Sequence, residues 1–110
     1  MTEVKTKQLC ASMKVNPFPV WLVLRALDDK TAKERDADGV TSKDGKVLFV
    51  DISLKLQRRE AVSVLAHELS HVIDFLEEII EDELNGEVRA YLMGNMLEWC
   101  YDVFCAWRKR

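Results

Sequence analysis

The spacing of apolar residues changes several times along this chain, and each change marks an element. Leu9 and Met13 lie one helical repeat apart within residues 3–14, with lysines on other faces, which predicts a short N-terminal helix. Pro17 and Pro19 in "NPFP" end it, because the residue before a proline is pushed out of the α region. "VWLVLRAL", residues 20–27, is rich in β-branched and aromatic residues and reads as a buried strand, with a short helix as the alternative. "DDKTAKERDADG" has too little apolar surface for a fold of its own and reads as a solvated loop. In "VTSKDGKVLFVDIS", residues 40–53, Asp44-Gly45 signals a hairpin with a type I′ turn. Val47, Phe49 and Asp51 alternate with Leu48, Val50 and Ile52, so the second arm is expected as a half-buried strand over 46–53.

The period then becomes helical. Over 56–76, Val62, Leu65, Leu69, Val72, Ile73 and Leu76 fall on one face. Over 82–108, Leu84, Val88, Leu92, Met96, Trp99, Val103 and Trp107 mark a second apolar face. "EEIIED" and Asn85-Gly86 predict a turn between the two helices. The pattern implies an α+β fold in one domain, residues 1–110. A small, mostly antiparallel sheet packs with the N-terminal helix and two long C-terminal helices.

Composition narrows the function classes. A net charge of -3 over 110 residues gives no reason to expect a nucleic-acid partner. Arg108, Lys109 and Arg110 form a run too short for a binding patch, and cations at a helix end complement its dipole. The 3 cysteines, Cys10, Cys100 and Cys105, lack C-x-x-C spacing, which points to a reducing compartment and to thiols packed in the core. No stretch approaches the ~18 apolar residues of a membrane span, so no membrane association and a cytoplasmic location are expected.

Both histidines stand in "LAHELSHVID", residues 65–74, four apart, with a glutamate directly after the first. Random placement gives such an arrangement in roughly 0.2% of cases, so the H-E-x-x-H metal motif is taken seriously. With Val62 at zero, a helical wheel places the apolar face from about 280° to 20°, with His67 at about 140°, His71 at about 180° and Asp74 at about 120°. The histidines therefore share a face roughly opposite the apolar one, and residues four apart on a helix are neighbours able to converge on one ion. Imidazole and carboxylate donors suit zinc, which in a catalytic site takes three protein ligands and leaves one position open. Asp74, Asp82, Glu83 and Glu87 are the candidates for the third place. Glu87, Tyr91, Gly94 and Glu98 form a stripe of their own on the last helix. Gly94 in mid-helix costs about 1 kcal/mol relative to alanine, and a close approach to the histidine helix would explain it. Glu87 also has a plainer reading as a solvated carboxylate at a helix start, with Glu83 its main rival as ligand. Asp74 either accepts the free ring N–H of a ligand histidine or is an exposed helix carboxylate.

"HELSH" followed by "EVRAY" resembles the gluzincin metallopeptidases, and most nearly the short, often phage-encoded or ImmA/IrrE-like zinc metallopeptidase domains. The resemblance spans about residues 47–107. Glu87 and Ala90 match the second-helix motif, while Tyr91 stands where that family usually has Asp or Asn. It implies a minimal zincin-like fold, zinc held by His67, His71 and Glu87, and a protein or peptide substrate. A phage-encoded protein of this kind would act in the host cytoplasm. Glu68 would serve as general base, and Tyr91 as a donor to the oxyanion or as a packing residue. The strand over Val47 to Ser53 would bind an extended peptide by edge pairing. The alternative is a non-catalytic zinc-binding regulatory or inhibitory module on the same scaffold. The short chain favours that alternative. The presence of Glu68 opposes it, because a purely structural site needs no general base.

Overall fold

A computed structural model of the chain describes residues 9–27 and 38–109. Four strands precede two long helices: β1 (Cys10–Lys14), β2 (Trp21–Leu27), β3 (Gly39–Asp44), β4 (Val47–Ser53), α1 (Arg58–Ile80) and α2 (Gly86–Arg108). The strands lie in the order β1-β2-β4-β3. β1 and β3 are antiparallel to their neighbours, and the central β2–β4 pair is parallel. The α+β class therefore holds, with a mixed sheet.

Residues Cys10–Lys14 are a strand, not the end of a helix, and no helix precedes the sheet among the described residues. Ladder pairing with β2 outweighs the weak helical signal of Leu9 and Met13, which also fits a period of two. Residues 1–8 and 28–37, including most of the expected charged loop, lie outside the described residues. The hairpin forms as expected, but Asp44 pairs with Val47, so the turn residues are Gly45 and Lys46. Only Gly45 has a positive φ, 61°, so glycine at the first central position makes this the II′ kind of turn. Finally, β4 is paired on both sides and buried from Val50 to Ser53, so it is not an edge able to accept a peptide.

One face of the sheet carries the core. Leu22 and Leu24 of β2 and Leu48, Val50 and Ile52 of β4 pack with Leu65, Leu69 and Leu76 of α1 and with Met96 and Phe104 of α2. Ala61 takes the buried place expected of Val62, which is 38% exposed. On the other face Arg25 donates two hydrogen bonds to Asp51, 2.6 and 3.0 Å, and covers the Phe49 ring at 4.2 Å, tying β2 to β4. Cys100 is buried as expected, and burial pushes its thiol up to about 12; Cys10 is exposed, against the expectation of core packing. No helix among the described residues is long and apolar enough to cross a membrane.

The two helices form a hairpin closed by side chains. α1 runs one turn past its expected end and stops at Glu81, in the left-handed region at φ 56°. Asn85 is the N-cap of α2, and its side-chain oxygen accepts from the Val88 N–H at 2.9 Å. Glu77 accepts from the Leu84 N–H at 2.8 Å and from the Arg89 guanidinium. The Leu84 N–H, aided by Arg89 against the opposing pull of burial, holds the Glu77 carboxyl below its ordinary value of 4.5. A carboxyl lowered on folding contributes stability above its unfolded value and loses it as pH falls through its folded one. Glu77→Gln should therefore lower the melting temperature at pH 7, and the gap to wild type should close below about pH 4. Thermal unfolding of both proteins across that range checks this, and a gap independent of pH would rule out the charge as its cause.

Candidate metal centre

α1 starts where Glu60 reaches back to accept the Gln57 N–H at 3.0 Å, as in a capping box. Its buried apolar residues, Ala61, Leu65, Leu69, Val72, Ile73 and Leu76, turn to the core. His67 and His71 lie outside that set, and both are exposed, as the wheel requires. Their Nε2 atoms are 3.3 Å apart, and the rings meet edge to face at 82°. Two nitrogens bound at ~2.0–2.1 Å to a tetrahedral zinc stand ~3.3–3.4 Å apart, so the pair has the separation of two ligands of one ion. Without metal, the same distance suits a single ring N–H donated from one imidazole to the other.

Glu68 has a different environment. One residue on from His67 the helix turns by about 100°, which carries this carboxylate toward β3. Glu68 is 8% exposed. The Thr41 hydroxyl lies 2.7 Å from Glu68 Oε1 and 3.1 Å from the Glu68 carbonyl oxygen. The other oxygen, Oε2, lies 3.9 Å from His67 Nε2. β3 comes this close because residue 39 is glycine. A Cβ there would fall 2.7 Å from Val64 Cγ1 and 3.0 Å from Glu68 Cγ, inside contact distance. Glu68 also borders two hollows, one of about 270 Å³ shared with Asp38 and His67, the other of about 360 Å³ shared with Thr41 and His71.

The other expected site residues are placed elsewhere. The hydrogen bond from Arg89 to Glu77, with Arg89 also 3.8 Å from Asp74, shows α2 running back along α1 with residue 89 near the level of 74–77. Helical rise then puts the backbone of Glu87 near the level of residues 76–79, roughly 8–12 Å along the axis from His71. Tyr91, 69% exposed, and Glu98 line a separate cavity of about 460 Å³ facing Met13 to Asn16. Asp74 is held toward Arg89, and Asp82 accepts the Glu83 N–H at 2.9 Å. A Cβ at Gly94 would meet nothing within 4 Å, so the close approach expected there is found at Gly39 instead. Among the described residues no group of three or more His, Cys, Asp or Glu side chains gathers as a metal shell. The structure thus brings His67, His71 and Glu68 together and leaves Glu87 and Tyr91 apart from them. Sequence reasoning missed Gly39 and Thr41. Their signal was present in the hairpin, whose register sets both on the same sheet face as Val50 and Ile52.

Comparison with known proteins finds no matching family model, no similar curated protein and no similar solved structure.

Two exposed imidazoles at ligand separation supply two of the three protein ligands of a catalytic zinc, and if they hold the ion, protein purified without chelator should carry close to one zinc per chain. His67→Ala or His71→Ala should each abolish retention, as read by elemental analysis. Stoichiometric zinc in the double variant would place the metal elsewhere.

Proposed function

We propose that the protein is a zinc-dependent peptidase in which His67 and His71 hold the metal and Glu68 is the general base. The observation that carries this reading is the 3.3 Å separation of the two Nε2 atoms beside a buried carboxylate. The chemistry supplied by a bound zinc is that of a Lewis acid, which polarises a carbonyl and brings the pKa of water toward ~7. Glu68 takes a proton from the attacking water and passes it to the leaving amine. The 3.9 Å distance from its Oε2 atom to His67 Nε2 supports that role. Peptide binding falls to β3, the strand beside the histidine helix, which is paired with β4 alone among the described residues. An extended substrate added there would run along the cleft in which His67 and His71 are exposed.

Glu87 enters this reading as the third ligand that the resemblance implies, and its place on α2 sets a condition. If Glu87 is the third ligand, metal binding should draw the first turn of α2 toward His71. Zinc titration followed by backbone amide resonances should then move residues 81–89 as well as 64–72. Glu87→Gln should weaken zinc binding ~10-fold or more, well beyond Glu83→Gln. Small and equal effects of the two substitutions would exclude Glu87.

Glu68→Gln separates the peptidase from a zinc-binding module without hydrolytic activity. It should keep zinc and fold while turnover of fluorescein-labelled casein by the zinc-loaded chain falls ~10²–10⁴-fold. Wild-type protein that carries zinc but cleaves no better than Glu68→Gln would point to the module.

A further inference from the structure

The Thr41 hydroxyl has one proton and two acceptors within reach, Glu68 Oε1 at 2.7 Å and the Glu68 carbonyl oxygen at 3.1 Å. The carboxylate is both nearer and charged, so it takes the hydrogen bond. That bond acts on one oxygen only. With Oε1 held against β3, the carboxylate plane is set and Oε2 is left on the His67 side. A glutamate has three side-chain torsions, and without such a tether its carboxylate would sample several orientations, most of them unproductive. Two features set where the tether stands. Thr41 sits on a strand in ladder register with Val50, and Gly39 lets that strand lie close to α1.

We infer that Thr41 is a positioning residue that aims Glu68, by holding Oε1 so that Oε2 faces the histidine pair. The inference rests on the peptidase reading and adds to it a residue outside the H-E-x-x-H motif. Thr41 touches no reacting atom and acts only through Glu68.

Thr41→Val keeps the β-branched shape and removes the hydroxyl, whereas Thr41→Ser keeps the hydroxyl and removes a methyl group. In the metal-free chain the Glu68 side-chain carboxyl carbon resonance should move in Thr41→Val and return in Thr41→Ser, and a resonance that stays at its wild-type position overturns the tether. Both are also compared with wild type in the zinc-loaded full chain on fluorescein-labelled casein, at a temperature where all three are folded and carry equal zinc. Thr41→Val should lower kcat ~10- to 100-fold with KM within about twofold, because Glu68 is misdirected while peptide binding is unchanged. Thr41→Ser should recover most of the loss. A kcat for Thr41→Val equal to wild type, or a loss that appears in KM, or no recovery with serine, overturns the positioning role while leaving the peptidase standing. Wild-type protein that turns over casein no faster than Glu68→Gln overturns the peptidase reading itself, and the positioning role with it.

Discussion

The histidine face depends on how closely β3 lies against α1. Gly39, Thr41 and Lys43 occupy alternate positions of the strand, and each meets the helix differently. Gly39 contributes the absence of a side chain where Val64 and Glu68 press in. Thr41 contributes a hydrogen bond to a carboxylate with little access to water. Lys43 contributes an exposed ion pair with Glu78 and a cation over the Phe75 ring at 5.1 Å. The exposed ion pair adds little to stability. The first two contacts matter more, and they are coupled. A buried carboxylate without a donor is costly, so the hydroxyl has to be near, and it can be near only if the strand is not held off by a Cβ.

The helix hairpin imposes the second constraint, which is one of level. Glu77 binds both the turn, through the Leu84 N–H, and the first coil of α2, through Arg89, so the helices cannot slide past one another without breaking both contacts. This lock decides which residues of α2 stand beside the histidines. It sets Arg89 beside Asp74 and Glu77, near the end of α1. On its other side α2 completes the core through Leu92, Met96, Cys100 and Phe104.

How far this was legible in the sequence follows from the range of the forces involved. The periods of the two helices and of β4 are local, and the buried residues Leu65, Leu69, Val72, Ile73 and Leu76 could be read directly. The outward direction of His67 and His71 followed from the same rotation. Pairing partners are not local. Nothing in residues 20–27 or 46–53 states that the two strands run parallel and adjacent, which makes β4 an interior strand and β3 the one beside the helix. Short segments are ambiguous as well, since Leu9, Ala11 and Met13 suit a strand face as well as Leu9 and Met13 suit a helix. The glycines show the limit most clearly. Gly94 drew attention because a helix interior penalises glycine, yet it faces open space. Gly39 drew none, because the atoms that exclude a Cβ there belong to a helix two elements further on.

The motif itself explains why a strand residue should matter to it. Positions i and i+4 of a helix differ by about 40° in direction, whereas i+1 lies about 100° away from i. If the two histidines face solvent together, the glutamate between them must leave that face, and here it turns into the join between helix and sheet. Its burial follows from the rotation of the helix. A carboxylate there needs a donor from whatever element covers that side, and the covering element is β3. At the level of Glu68 the inward-facing position of that strand is Thr41, which can donate one proton and no more. One donor satisfies one oxygen. The geometry that exposes the imidazoles thus also divides the carboxylate into a held oxygen on the strand side and an unheld one on the histidine side.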